Sequence, residues 1–103
     1  MKLIYLDPAF RDLERIRDFY LSQKAGIDTA NRIITAVIAD INHLANYPEL
    51  GFSIGGKYGY QSAYRGLLVC KEHYLAIYET FKATIEVRRI YSTKENYIKD
   101  LLP

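Results

Sequence analysis

The chain has 103 residues, of which half are hydrophobic and 25% are charged, and its formal net charge is +2. These values exclude an intrinsically disordered chain and suit one domain with a single core. The one cysteine, Cys70, excludes an internal disulfide bond and a cysteine-based metal cluster.

The N-terminal residues predict a strand followed by a helix. Residues 2–6 form a short apolar run of strand-forming residues, which Asp7 and Pro8 end. Asp7 suits the N-cap position, and Pro8 then takes the first helical position, where a missing N–H costs nothing. Apolar residues recur at helical spacing through 9–20, with Asp12 among the charged residues of the other faces. We therefore expect an amphipathic helix of about four turns.

A second helix follows a break at Gly26. It should begin at Asp28 or Thr29, and residues 33–45 carry the strongest helical periodicity in the chain. It should end at Tyr47-Pro48, because proline disfavours a helical conformation in the residue before it. Since the linker is short, the two helices should form an antiparallel hairpin.

The rest of the chain predicts three strands and a short helix. Residues 48–59 contain four glycines and have the composition of a loop. Three stretches of strand-forming residues follow, at 61–69, 74–81 and 84–91. Their short connections favour an antiparallel meander. Ser92 and Glu95 have the spacing of a capping box, which predicts a final helix directly after Ser92.

We therefore predict one α+β domain over residues 1–103, with the order β-α-α-β-β-β-α. The antiparallel helical hairpin packs on one face of a small, mostly antiparallel sheet, and the short helix closes the chain. No stretch is long enough to cross a bilayer, and charged residues interrupt the N-terminus where a signal peptide would be apolar. We expect a cytoplasmic protein.

The C-terminal part carries the surplus of positive charge. Residues 1–60 hold seven Lys/Arg and seven Asp/Glu, whereas residues 61–103 hold seven and five. This asymmetry favours an acidic or nucleic-acid partner. The ten tyrosines fit either a contact surface or the edges of the core.

Arginines lie within the predicted strands. Because strand side chains alternate between faces, Val87, Arg89 and Tyr91 should share one face. A guanidinium in mid-sheet costs desolvation unless it is paired or lies on a wet face. We expect Arg65 and Arg89 to line an open functional face. Arg88 fits the same face or an ion pair with a strand glutamate, Glu79 or Glu86.

The residues form no conventional active site. His43 and His73 have no second ligand at metal-binding spacing, and Gly55-Gly56 follows no strand and opens no helix, as a phosphate loop would. We expect no metal and no cofactor. RNA cleavage through the 2′-hydroxyl stays open, since it needs only an acid, a base and cations. The available groups, which equally describe a basic binding face, are Arg65, Lys71, Arg88, Arg89, Lys94 and Tyr97.

The element order and several motifs resemble the RelE/ParE superfamily, the toxins of bacterial type II toxin–antitoxin systems. The motifs are Tyr47-Pro48 with Gly51, Tyr64-Arg65-Gly66-Leu67, Tyr74-Leu75-Ala76-Ile77-Tyr78, and the segment from Val87 to Tyr97. In this family, RelE-like members cut messenger RNA on the ribosome with basic strand residues and a C-terminal Arg and Tyr. ParE-like members inhibit DNA gyrase and lack that set.

The resemblance implies a ParE-like toxin here. Leu75, Gly66 and Leu68 stand where ribonuclease members carry Arg or Lys. Residues that do match the ribonuclease pattern are Arg65, Arg89 and Tyr97, with Lys94 in place of an arginine. We therefore expect a gyrase inhibitor without chemistry of its own. The alternative is a ribosome-dependent, metal-independent endoribonuclease whose catalytic residues are Arg65, Arg89, Lys94 and Tyr97. A third reading is a member that binds only its antitoxin.

The resemblance also implies a partner. A cognate antitoxin protein should wrap the toxin and neutralise its growth inhibition, as in plasmid stabilisation, and operator DNA should be bound only through the antitoxin. The residues expected to contact the target or the antitoxin are Tyr64, Arg65, Lys71, Arg88, Arg89, Lys94 and Tyr97.

Overall fold

The chain folds into a five-stranded sheet with two long helices packed on one face. The computed structural model describes residues 1–24 and 26–101, and it confirms the predicted α+β class. The strands are β1 (Lys2–Tyr5), β2 (Phe52–Ser53), β3 (Arg65–Val69), β4 (Tyr74–Phe81) and β5 (Thr84–Ser92). The helices are α1 (Asp7–Leu21), α2 (Gly26–Asn42), α3 (Ile54–Tyr58) and α4 (Ile98–Leu101), with a 3-10 turn at His43–Ala45. The strand order is β1-β5-β4-β3-β2. β1 runs parallel to β5, and the other three pairs are antiparallel.

Both long helices begin earlier than the sequence predicts. Asp7 is the first residue of α1 rather than its N-cap, because Leu6 takes that position in an extended conformation and donates its N–H to the carbonyl of Val87 at 3.0 Å. α2 begins at Gly26 instead of at Asp28 or Thr29. Gly26 is the first residue of α2, and its φ of 73° lies in the left-handed region that glycine adopts readily. α2 ends at Asn42, and the 3-10 turn continues to Ala45.

The sheet is covered on both faces, so the molecule has two clusters of buried side chains. The first core lies between the sheet and the helix pair, and its members include Leu13, Ile16, Val37, Ile41, Leu44 and Tyr78. The second core, on the opposite face, consists of Ile54, Leu75, Ile77, Tyr91 and Leu101, with Phe52 and four partly buried tyrosines packed around it. Half of the ten tyrosines thus surround or belong to the second core. For these five, the role at the edge of the core, one of the two that the sequence leaves open, is present.

The prediction of a loop over residues 48–59 is wrong. That segment contains β2 and α3, which cover the second core. The Ser53 hydroxyl caps α3 by accepting the N–H of Gly56 at 3.1 Å, and Gly59, with a φ of 75°, ends it. Conversely, β3 starts at Arg65, four residues later than predicted.

The capping box forms but starts no helix. The Ser92 N–H donates to Glu95 Oε1 at 2.7 Å, and the Lys94 N–H donates to Ser92 Oγ at 3.2 Å. Thr93 is meanwhile tied to the β3–β4 turn, because its N–H donates to the carbonyl of His73 at 3.0 Å. The chain therefore forms a turn after β5, and α4 begins only at Ile98.

β5 contains a β-bulge at Arg88. Val87 is opposite Tyr78 and Arg89 is opposite Ile77, so Arg88 is inserted between two regular pairs. The insertion reverses the alternation of side chains: Val87 and Ile90 both lie in the first core, whereas Tyr91 lies in the second. The prediction that Val87, Arg89 and Tyr91 share a face is therefore wrong.

Among the helices of the described part of the chain, none is long and apolar enough to cross a membrane.

Candidate functional site: the aromatic face

The bulge places two arginines beside each other on the sheet face opposite the long helices. We call this surface the aromatic face, and it comprises Tyr64, Arg88, Arg89 and Tyr97, with the buried ring of Tyr91 beneath them. The guanidinium carbon of Arg88 lies 5.2 Å from the ring centroid of Tyr64, and that of Arg89 lies 4.7 Å from the centroid of Tyr91. Both distances are within the range of a cation–π interaction.

Arg88 is also paired with carboxylates. Its Nη1 lies 3.6 Å from Oε2 of Glu79 on β4 and 3.9 Å from Oε1 of Glu86 on β5, and 35% of the Arg88 side chain is exposed. The ion pair that the sequence leaves open for Arg88 is thus present, although these separations are long for hydrogen bonds. Arg88 keeps hydrogen-bonding capacity for a partner.

Arg89 is held by a buried carboxylate. Its Nε and Nη2 donate to the two oxygens of Asp12 at 2.8 and 3.2 Å. The hydrogen bond to Asp12 raises the pKa of Arg89 above its ordinary value, against the opposing effect of burial. Arg89 is therefore a fixed cation whose carboxylate partner is part of the fold.

Asp12 does not lie on the outer face of α1 that the sequence predicts for it. It is 1% exposed rather than on a solvent face. Besides Arg89, it accepts the backbone N–H of Ile90 and Nη2 of Arg15, each at 2.8 Å. The contact with Ile90 is needed because β1 ends at Tyr5, so β5 has no strand neighbour on that side beyond the bulge. Asp12 lies three residues after Ala9 and four residues before Ile16, which puts it on the apolar stripe of α1. This spacing is the feature of the sequence that indicates its burial.

Tyr97 closes one side of the aromatic face. Its ring stacks on that of Tyr91, with centroids 5.9 Å apart and an angle of 27° between the planes. Its hydroxyl lies 3.5 Å from that of Tyr58. This hydrogen bond, together with burial, raises the pKa of Tyr97. The phenol is therefore poorly suited to act as a base at neutral pH.

Two other predicted site residues, Lys71 and Lys94, lie apart from Arg88 and Arg89. Lys71 and Lys94 are exposed and lie in adjoining turns, since Thr93 Oγ1 donates to the carbonyls of Glu72 and His73 at 3.0 and 3.1 Å. Both lie at the end of the sheet from which α4 departs.

Arg65 does not line the open face, contrary to the prediction. It is on the same side of β3 as Leu67 and Val69, which pack in the first core. Its Nη2 donates to the carbonyl of Glu49 at 3.1 Å and to that of Gly51. Arg65 and Arg89 therefore belong to different surfaces.

The floor of the aromatic face is apolar. Leu75 and Ile77 are fully buried in the second core. A Cβ on Gly66 would lie 2.8 Å from Phe52 Cζ and 3.1 Å from the terminal methyl groups of Ile54 and Leu75. Two of the positions where ribonuclease relatives carry cations are thus filled by core packing. Leu68, at the third, is 41% exposed but carries no charge.

The sheet with a helix pair on one face is a fold that is found in other proteins. A solved structure described as "Chromosomal ParDE TA system from P. aeruginosa" superposes with a TM-score of 0.77, at 18% identity, over 91% of this chain and 97% of that chain. At this identity, the likeness shows a shared fold.

The sequence then gives the family. The model of the family described as "ParE toxin of type II toxin-antitoxin system, parDE" matches residues 3–97. The chain therefore belongs to the ParE toxin family of type II toxin–antitoxin systems, and the predicted resemblance, with its ParE-like branch, is confirmed. No curated protein matches the chain.

Proposed function

We propose that this toxin acts in the cytoplasm by binding DNA gyrase through the aromatic face, and that a cognate antitoxin neutralises it. One observation carries the proposal: both arginines of the face are held by carboxylates and aromatic rings above an apolar floor. Such an arrangement favours recognition over chemistry. A nuclease needs cations free to stabilise the charge that develops on a phosphate, and here nearby carboxylates already offset the positive charge of both arginines.

The same arrangement is well suited to a protein interface. Arginine and tyrosine dominate the residues that contribute most to protein–protein binding, especially where they are rigid before the partner arrives. Arg88 and Arg89 are each 35% exposed and are oriented by neighbouring groups. They would lose little side-chain freedom on binding.

We place Lys71 and Lys94 at the rim of this interface. Both are exposed and lie in turns that contact each other through Thr93. Exposed cations at a rim speed association with an acidic partner more than they strengthen the final complex. Gyrase and the antitoxin would compete for this surface.

A cleavage assay tests the proposal. Purified gyrase and supercoiled plasmid are incubated with the toxin, and a translation reaction with a defined messenger RNA receives the same toxin. We expect trapped gyrase–DNA cleavage complexes and intact messenger RNA. Arg88→Gln should reduce trapping about tenfold or more, whereas Arg32→Gln, an exposed arginine on α2, should not. Messenger RNA cut at fixed codon positions with normal supercoiling contradicts the proposal and supports the ribonuclease alternative.

A further inference from the structure

Arg65 lacks the counter-ion that its burial calls for. Three arginines are half-buried in the described part of the chain: Arg65, Arg88 and Arg89. The latter two contact carboxylates, whereas Arg65 contacts only the carbonyls of Glu49 and Gly51 within residues 1–24 and 26–101. Its Nε is buried without a hydrogen-bond partner.

The unpaired, half-buried guanidinium of Arg65 lowers the stability of the fold, and this cost needs an explanation. A buried donor without an acceptor destabilises a fold, and a half-buried cation without an anion adds to that cost. Native structures keep few such groups, and each calls for an explanation. The Nε atom itself is enclosed and out of a ligand's reach, but Arg65 also lines a surface depression, where an oxyanion from outside the chain would offset its unpaired charge.

The surroundings of Arg65 provide further donors. Arg65 lines a half-open depression of about 410 Å³ together with Ser53, Ser62, Thr80 and Lys82. The hydroxyls of Ser53 and Ser62 each accept a backbone N–H at 3.1 Å, from Gly56 and Tyr64 respectively. Because those bonds use a lone pair, each hydroxyl keeps its proton to donate to a ligand.

An apolar depression adjoins this polar one. The two share Pro48 and Glu49 as a common wall, and Tyr47 and Leu50 line the second. Tyr47 is 64% exposed and Leu50 is 54% exposed, so both are available to a partner. A cationic, hydroxyl-lined depression beside an apolar one matches a peptide in which an acidic side chain is next to an aliphatic one.

We propose that this second surface, on the helix side of the sheet, binds an acidic side chain of a protein partner at Arg65. A neighbouring aliphatic side chain of that partner packs on Tyr47 and Leu50. The carboxylate of Glu49 on the shared wall disfavours a doubly charged phosphate more than a singly charged carboxylate. The surface meets the aromatic face at Tyr64, which lines both, but Arg65 and Lys82 lie outside the aromatic face, so the proposal does not depend on the function proposed above.

Chemical-shift titration of the full ¹⁵N-labelled chain tests this site. The probes are a capped Leu-Glu-Leu peptide, the matched Leu-Gln-Leu peptide and inorganic phosphate. We expect the Glu peptide to shift the Arg65 Nε–H signal and the backbone amides of Ser53 and Ser62 in a saturable way. The Gln peptide should bind about tenfold more weakly, since a hydrogen bond to a charged group contributes more than one to a neutral group.

Variants complete the test. Arg65→Gln should weaken the Glu peptide about tenfold, and Arg32→Gln should leave its affinity unchanged. Arg65 also donates to the carbonyl of Gly51, so its substitution could disturb the fold. Lys82 is exposed, and Lys82→Gln therefore tests the same depression without that risk. This variant should weaken binding of the Glu peptide severalfold. Equal affinity for the two peptides, saturable shifts with phosphate alone, or no shift at Arg65 overturns the proposal.

Discussion

Asp12→Ala should be among the most destabilising single changes at the surface between α1 and β5. The substitution removes the acceptor of the buried Ile90 N–H, at 2.8 Å, and the carboxylate that holds Arg89 at 2.8 and 3.2 Å. An orphaned buried N–H costs about 1–3 kcal/mol. The lost ion pair adds about 1 kcal/mol, discounted because the Arg89 side chain is 35% exposed and can be rehydrated. The free energy of unfolding should therefore fall by about 2–4 kcal/mol.

Urea unfolding measures this loss. We expect a lower midpoint with an unchanged slope, because the extent of surface exposed on unfolding stays the same. Asp12→Asn keeps an oxygen that can accept the Ile90 N–H, so its loss should be smaller. Arg15→Ala is the matched control: it removes only the exposed partner of Asp12, with a side chain 58% exposed, and should cost about 0–1 kcal/mol. A loss for Asp12→Ala no larger than for Arg15→Ala refutes the reasoning.

Four further substitutions have distinct expected outcomes. The buried Tyr5 hydroxyl has no hydrogen-bond partner in the described residues, so Tyr5→Phe should leave stability unchanged or raise it slightly. By contrast, Tyr78→Phe removes bonds to Pro48 and Gly51 at 2.8 and 3.0 Å and should cost about 1–3 kcal/mol by urea unfolding. Burial raises the pKa of Tyr5 from 10.0 to about 12. The unfolded chain therefore loses the Tyr5 proton more readily than the folded one, and stability falls as pH rises from 10 toward 12, so alkaline unfolding should be less steep in Tyr5→Phe. Gly66→Ala forces a Cβ against the second core and should cost about 1–3 kcal/mol, whereas Gly56→Ala, with only Ser53 atoms at 3.4 Å, should be tolerated.

Each of these predictions has an outcome that counts against it. Equal losses for Tyr5→Phe and Tyr78→Phe would mean that the hydroxyl contacts do not govern stability. If wild type and Tyr5→Phe unfold over the same alkaline pH range with the same steepness, the ionisation of the buried Tyr5 phenol does not cause the loss of stability at high pH. Equal tolerance of alanine at Gly66 and Gly56 would show that the second core has room beneath the aromatic face.

The sequence predicted the strands that are flanked by clear turns. β4 has the predicted bounds, 74–81, because alternating strand formers are enclosed by short polar connections on both sides. β2 and α3 were missed for a physical reason. β2 is two residues long and exists only through its pairing with β3, while α3 contains two glycines and depends on the Ser53 cap and the burial of Ile54. Tertiary contacts decide such elements, and local propensity does not show them.

The candidate site was only partly predictable. The sequence identified Arg88, Arg89 and Tyr97, yet the position of Arg89 depends on a bulge, and an Arg-Arg pair carries no signature of one. Arg65 was assigned to the wrong face because the alternation of β3 fixes which residues share a side but not which side meets the helices. Asp12 was treated as an ordinary polar residue of α1, although its position on the apolar stripe indicated a buried partner.

We propose above that the aromatic face recognises gyrase without performing chemistry. The most direct test is the dissociation constant of the purified toxin and purified gyrase, measured by calorimetry with wild type, Arg88→Gln and the control Arg32→Gln. We expect measurable binding that Arg88→Gln weakens about tenfold or more and that the control leaves unchanged. Absence of binding by the folded wild-type toxin, or equal affinity in all three proteins, contradicts the proposal.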